Sequence, residues 1–241
     1  MSRIFFRDSY IAVVPSFDRT DLHKHPPLHL FFSERECRIT VGEDEFRGNV
    51  ILLDSNIKHI AKNGNGCDFF LLIDPTSTVA GQLKEKYLRD CPCVGLSDIP
   101  VNMSELSEDE TVCAAEKLLS ALGAKFDIQS TADERVAQVT KKLISGEWLS
   151  YSVSEIAHAV FLSESRLTHL FKEQVGVSLK GYILTRRLES AYKYVNSGGS
   201  ITQAAQESGF SSSAHLAYTC KTLTGISITD VLRARNNTAD F

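Results

Sequence analysis

SVSEIAHAVFLSESRLTHLFKEQVGVS fills residues 152–178, and SITQAAQESGFSSSAHLAYTCKTLTGIS fills residues 200–227. The two stretches are copies of one pattern. Ser152-Val-Ser-Glu-Ile-Ala157 returns as Ser200-Ile-Thr-Gln-Ala-Ala205, 48 residues later. Leu167 to Lys172 returns as Leu216 to Lys221, and Gly176-Val-Ser178 as Gly225-Ile-Ser227, now 49 residues later. One residue has been gained in the turn inside the second copy. Each copy opens on a capping box, Ser152 with Glu155 and Ser200 with Gln203, in which side chains satisfy the first amides of a helix. Val153, Ile156, Ala157 and Val160 then follow at helical spacing. Small Ala157 and Ala205 suit the close crossing of a helix-turn-helix, and Gly209 suits its turn. Phe161 stands where copy two has Gly209, so the first turn is expected to be managed differently.

The second helix of each copy has an inward and an outward set. Leu167, Leu170, Phe171 and Val175 point inward in copy one, as do Leu216, Cys220 and Leu223 in copy two. Glu164, Ser165, Arg166, Thr168, His169 and Lys172 are left outward. So are Ser212, Ser213, His215, Tyr218, Thr219, Lys221 and Thr222. These side chains have the reach and hydrogen-bonding capacity to contact bases or phosphates. An isolated copy would read equally well as the solvated face of a bundle; two copies with matching caps do not. Between them, Leu184, Leu188, Ala191, Tyr192 and Val195 share one face of a helix predicted over 179–196. Such a helix is ~27 Å long, close to the ~34 Å between successive major grooves on one face of duplex DNA. The predicted helices of this half are 133–145, 153–160, 164–175, 179–196, 201–208, 212–223 and 228–235.

Outward from this region the chain changes character. Short runs rich in Val, Ile and Phe predict strands at 4–7, 10–14, 28–32, 37–41, 45–47, 50–53, 59–62 and 67–73, an antiparallel sandwich or barrel. Helical spacing then predicts helices at 77–89 and 107–123, with an irregular stretch over 90–103 between them. The apolar stripe of the second serves either the core or a dimer contact. Lys125–Ala132 is the expected linker.

The chain has 241 residues and a formal charge of −4, unevenly shared. Residues 128–241 hold 12 Lys and Arg against 10 Asp and Glu, whereas residues 1–127 hold 14 against 20. The helical half is thus mildly basic, the sign nucleic acid attracts. No apolar run approaches the ~20 residues of a membrane span, and the charged start of the chain does not suit a signal peptide. A cytoplasmic protein without membrane association is expected. The six cysteines show no paired C-x-x-C spacing, and Cys91-Pro-Cys93 is too tight for a zinc knuckle. No phosphate-cradling loop or serine nucleophile motif is present, and no cofactor is expected.

Ser165-Arg-Leu-Thr-His-Leu-Phe-Lys172, Gly176-Val-Ser178, Arg187-Leu-Glu-Ser-Ala191 and the 201–227 segment resemble the DNA-binding domain of the AraC/XylS family of bacterial transcription regulators. The resemblance covers about 100 residues. It departs at Cys220, where the family usually has an aromatic, and at Tyr218, often Arg. Copy two is therefore expected to contact DNA more weakly. In the front half, His23-Lys-His-Pro-Pro-Leu-His-Leu30, Gly48-Asn-Val-Ile-Leu-Leu53 and His59 resemble the small cupin-like barrel with which many members sense an effector. The implied fold class is α+β. A small antiparallel β-barrel with helices (1–127) precedes an all-α domain (128–241) of two helix-turn-helix motifs, about 152–176 and 200–225, joined by a linker helix.

The implied function is a sequence-specific, effector-modulated regulator, an activator rather than an enzyme. Its implied partners are double-stranded promoter DNA, a small-molecule effector and RNA polymerase, with a homodimer through helices 77–89 and 107–123. His23, His25, His29 and His59 are the candidate effector-binding residues. In metal-binding cupins, H-x-H with a later carboxylate and a later His holds a divalent cation. His23, His25 and His59 fit that outline, with Glu34 or His29 in the carboxylate's place. The competing reading is a metal-dependent cupin-type enzyme with a helical appendage.

Overall fold

Alternation of large apolar side chains builds the first half of the molecule. The computed structural model describes residues 3–15, 20–61, 67–100, 108–125 and 133–229. Strands β1 (Arg3–Phe6), β2 (Tyr10–Val14), β3 (Leu28–Val41), β4 (Asp44–Leu53), β5 (Phe69–Ile73) and β6 (Cys93–Leu96) form one antiparallel sheet in the order β1-β2-β5-β3-β4-β6. Successive residues of a strand face opposite sides, so the sheet has two apolar faces. Tyr10, Ala12, Leu28, Leu30, Phe32, Val50, Leu52, Phe69 and Leu71 line one. Val13, Phe31, Cys37, Ile39, Ile51, Leu53 and Phe70 line the other.

The first face is covered by α1 (Thr78–Tyr87) and α2 (Glu108–Ala121). Val79, Ala80 and Leu83 of α1 and Val112, Ala115, Leu118 and Leu119 of α2 are buried there. The stripe left open between core and dimer contact thus lies in the core. Ser77 caps α1, its Oγ accepting from the Ala80 amide at 3.2 Å. Lys86 Nζ and Tyr87 Oη donate to the Leu122 carbonyl at 3.0 and 3.1 Å, tying the two helix ends together.

Three expectations need correction. The runs 28–32 and 37–41 are one strand with a register shift between Phe32 and Cys37. Of the run 59–62, residue 62 lies outside the described residues, and the described part makes isolated bridges, His23 with His59 and Thr40 with Ile60. The stretch read as irregular contains β6, held to β4 where glycines face backbone: a Cβ on Gly95 would stand 1.9 Å from the Arg47 carbonyl oxygen, and one on Gly48 2.3 Å from that of Leu96.

The second half is helical: α3 (Glu134–Ile144), α4 (Val153–Ala159), α5 (Glu164–Val175), α6 (Leu179–Asn196), α7 (Ile201–Glu207) and α8 (Ser213–Thr224). The chain forms two compact units, residues 1–128 with 224–241, and residues 129–223. Residues 126–132 of the expected linker and most of the expected helix 228–235 lie outside the described residues. Among the described residues no helix is long and apolar enough to cross a membrane.

Candidate nucleic-acid interface

Both copies open on a serine cap, but only the first has the full reciprocal box; in the second, Gln203 takes the Ser200 hydroxyl rather than the amide. Ser152 Oγ accepts from the Glu155 amide at 3.2 Å, and Glu155 Oε2 accepts from the Ser152 amide at 2.7 Å. These amide and hydroxyl donors hold the Glu155 carboxyl below its usual range. Ser200 Oγ accepts from the Gln203 amide at 3.2 Å and donates to Gln203 Oε1 at 2.9 Å. Ala157 and Ala205 are both buried at the helix crossings.

The turns match bond for bond. Phe161 N donates to His158 O at 3.1 Å and Leu162 N to Ala157 O at 2.9 Å. Their counterparts, Gly209 N to Gln206 O at 3.2 Å and Phe210 N to Ala205 O at 2.8 Å, lie 48 residues on. Phe161 takes φ 56° and Gly209 φ 77°. The expectation of a different first turn is therefore wrong: Phe161 adopts the left-handed conformation itself. That costs a residue with a Cβ about 1–2 kcal/mol. Phe161 tolerates it because the residue stands almost wholly in solvent, 95% exposed. Gly209 has no such freedom, since a Cβ there would stand 2.3 Å from the Leu149 carbonyl oxygen. The gained residue falls after this turn. Ser163 caps α5 directly after Leu162, whereas Ser211 intervenes before the helix that follows Phe210.

In α5, Leu167, Leu170, Phe171 and Val175 are buried. Ser165, Arg166, His169 and Lys172 are exposed together on the other side. Among the described residues neither Arg166 nor Lys172 is held in an ion pair, leaving two cations to meet an anionic surface. Thr168 is half-buried and bonds back to the Glu164 and Ser165 carbonyls at 2.9 and 3.0 Å, which occupies its hydroxyl proton. His169 lies 3.8 Å from Glu173.

The second reading helix is less cationic. Ser213, Tyr218, Lys221 and Thr222 are exposed, and Tyr218 is the largest exposed side chain on it. Ser212 Oγ accepts from the His215 amide at 3.1 Å, so Ser212 works as a helix cap. His215 is half-buried, takes a 3.0 Å bond with Ser211 Oγ and packs edge-on to Phe210. Thr219, expected outward, is buried beside Leu216 and Cys220; it falls on the inner side of the helix and is withdrawn from the contact set. Cys220 is also buried, its thiol 3.0 Å from Tyr192 Oη of α6.

The linker helix α6 serves both copies. Leu179, Tyr182 and Ile183 join the core that holds α3, α4 and α5. Leu188, Ala191 and Val195 are buried further along. Glu189 is buried between Arg186 at 2.9 Å and Lys193 at 2.7 Å.

One feature of this half was not legible beforehand. Arg187 Nε donates to the Leu149 carbonyl at 2.6 Å and its Nη2 to the Tyr151 carbonyl at 3.1 Å. The loop 149–151 is thus gripped by Arg187 and pressed by Gly209, linking the turn of copy two to the entrance of copy one. Burial alone lowers the Arg187 pKa. Its place within the quoted Arg187-to-Ala191 stretch was the available signal, but its partners are backbone carbonyls, which sequence does not mark.

The four candidate histidines come together elsewhere, at the face of the sheet that α1 and α2 do not cover. All four are buried. His29 stacks on Phe31 and meets Phe70 edge-on. Burial lowers the pKa of each ring, that of His59 to about 4. Glu34, the alternative carboxylate, is exposed and is not in the group of ligand atoms that converge there.

Comparison with known proteins adds three findings. Residues 133–234 match a family of helix-turn-helix domains. A stretch of 79 residues is 34% identical to the probable transcriptional regulator LumQ of Photobacterium leiognathi, covering 32% of this chain and 32% of LumQ. The match thus spans about a third of that relative's length. Among solved structures, an apo point variant of ToxT from Vibrio cholerae strain SCE256 aligns with a TM-score of 0.56 at 13% identity, covering 93% of this chain and 97% of ToxT. Wild-type ToxT of that strain with bound unsaturated fatty acid aligns with a TM-score of 0.50 at 15% identity, over 93% of each chain. At these identities the likeness to ToxT is one of fold.

Proposed function

We propose that the chain is a member of the AraC/XylS family and a sequence-specific DNA-binding transcription regulator, a reading that its match to helix-turn-helix domains over residues 133–234 supports. It presents α5 and α8 to successive major grooves on one face of the duplex, with α6 as the spacer. The observation that carries this reading is the duplicated turn, with matched bonds at an offset of 48 residues, followed each time by a helix whose polar side is exposed. Arg166, His169 and Lys172, with Ser165, form the principal contact set. Ser213, Tyr218, Lys221 and Thr222 form the weaker one.

Residues 1–127 are the effector-sensing and dimerising part, and residues 128–241 the DNA-binding part. RNA polymerase is a further partner, activation the mode of action and the cytoplasm the place of action. ToxT has been solved with a bound unsaturated fatty acid, and a small-molecule effector for residues 1–127 is consistent with that likeness. The protein is not an enzyme on this reading. A metal-cupin enzyme would need a substrate cleft leading to the metal, and the side chains whose ligand atoms converge are all buried.

Fluorescence anisotropy of a promoter library at several salt concentrations tests the proposal. Selected sequences should bind more tightly than random DNA, with an affinity that falls steeply as salt rises. Equal, salt-insensitive affinity for all sequences would refute it.

A further inference from the structure

His23, His25 and His59 each offer a ring nitrogen within 4.8 Å of the others. Their other nitrogens are all committed to backbone. His23 Nδ1 lies 2.8 Å from Asp21 O, His25 Nδ1 3.0 Å from Pro27 O and His59 Nδ1 3.0 Å from Ile57 O. A carbonyl only accepts, so each Nδ1 carries the proton. Each Nε2 is therefore left with a lone pair. This arrangement, a backbone carbonyl fixing the tautomer of every ring, is what a metal-ligating histidine requires. Among the described residues His25 Nε2 is buried without a hydrogen-bond partner, as is His29 Nε2. His59 Nε2 meets only His29 Nδ1, at 3.2 Å. Buried polar atoms rarely go unpaired, and one cation would take up the lone pairs of His23, His25 and His59 together.

We propose that His23, His25 and His59 hold one divalent transition-metal ion, and that Gly225, packed on Asp21 and His23, supports the site. Three imidazoles without a carboxylate select zinc, nickel, cobalt or copper over magnesium and calcium. Nitrogens around a tetrahedral zinc stand ~3.3 Å apart, so the rings must close inward slightly on binding. His29 keeps its place against Phe31 and gives up its bond to His59. The route to Gly225 is short. The His23 ring donates to the Asp21 carbonyl, and the Asp21 amide donates to the Gly225 carbonyl at 3.1 Å. A Cβ on Gly225 would stand 2.6 Å from Asp21 O and 2.9 Å from His23 Nδ1. Gly225 and these residues lie in the same compact unit. The ion site stands without the DNA-binding reading.

The test needs no DNA. Zinc is titrated into the full-length chain against a chromophoric chelator, and cobalt is followed by its visible bands, with magnesium as the control. One zinc per chain is expected. H25Q and H59Q should each lose at least about tenfold in affinity. G225A should weaken binding about 10–100-fold, as loss of an outer-shell support does. Far-UV circular dichroism checks each fold. Should a histidine variant unfold, the melting temperature of the natural chain decides, since an ion that binds the folded state must raise it. No zinc uptake, no melting shift, or zinc retained in both H25Q and H59Q would overturn the site. Unchanged affinity in G225A would overturn the support given by Gly225.

Discussion

The two helix-turn-helix copies share a backbone and differ in what they can afford at each position. Their turns make the same bonds and the same left-handed step. In copy one that step is taken by a phenylalanine over open solvent. In copy two it is taken by a glycine pressed on the Leu149 carbonyl. The reading helices diverge as well: α5 exposes Arg166 and Lys172, whereas α8 carries Lys221 alone and buries Thr219 and Cys220. Copy one is joined to a broad core through α3, α4, α5 and the start of α6. Copy two leans on smaller supports, the Tyr192–Cys220 contact and the 149–151 loop. The duplicated motif thus keeps one backbone while the two copies differ in exposed charge and in support.

The largest expected effect breaks this comparison at the turn. Gly209→Ala should destabilise the protein by about 3 kcal/mol, from backbone overlap plus left-handed strain. Phe161→Gly should leave stability unchanged or raise it by up to about 1 kcal/mol, because relief of strain outweighs glycine's entropy. Urea unfolding measures both, and equal losses at the two positions would erase the distinction.

Arg187→Met comes next. It keeps the stem but removes two charge-assisted bonds to carbonyls, a loss of about 2 kcal/mol in the same assay. In DNA binding, Arg166→Ala should cost about 1–3 kcal/mol on a selected site and relax preference at one base pair. Tyr218→Ala, its opposite number in size on α8, should cost less on selected and random DNA alike. The smallest effect concerns the caps. Ser152→Ala removes a reciprocal box and should cost about 1 kcal/mol, with Ser200→Ala slightly cheaper.

The helical half was legible because its signals are local. Caps, 3.6-residue periodicity and small residues at crossings lie within a few positions of one another, and α5 and α6 fall at the predicted residues 164–175 and 179–196. The sheet was legible in kind but not in detail. Charged and polar residues at Ser33, Glu34, Arg35 and Glu36 look like a break, yet the strand runs through them by shifting register. Strand β6 depends on Gly48 and Gly95 allowing two backbones to approach, a fact about pairing across the chain. The outward set on α5 was readable from periodicity. Thr219 was misplaced because the inner side of α8 is wider than Leu216, Cys220 and Leu223 alone suggest. The histidines stood out by type, but the carbonyls that orient them and the Gly225 contact belong only to the folded chain.

The central claim, two unequal reading heads on one face of DNA, is tested most directly by methylation interference on a selected site. The account predicts two protected major-groove patches one helical turn apart, ~10 bp, the one under α5 stronger and lost in Arg166→Ala. A single patch, or two of equal strength that both survive Arg166→Ala, would contradict it.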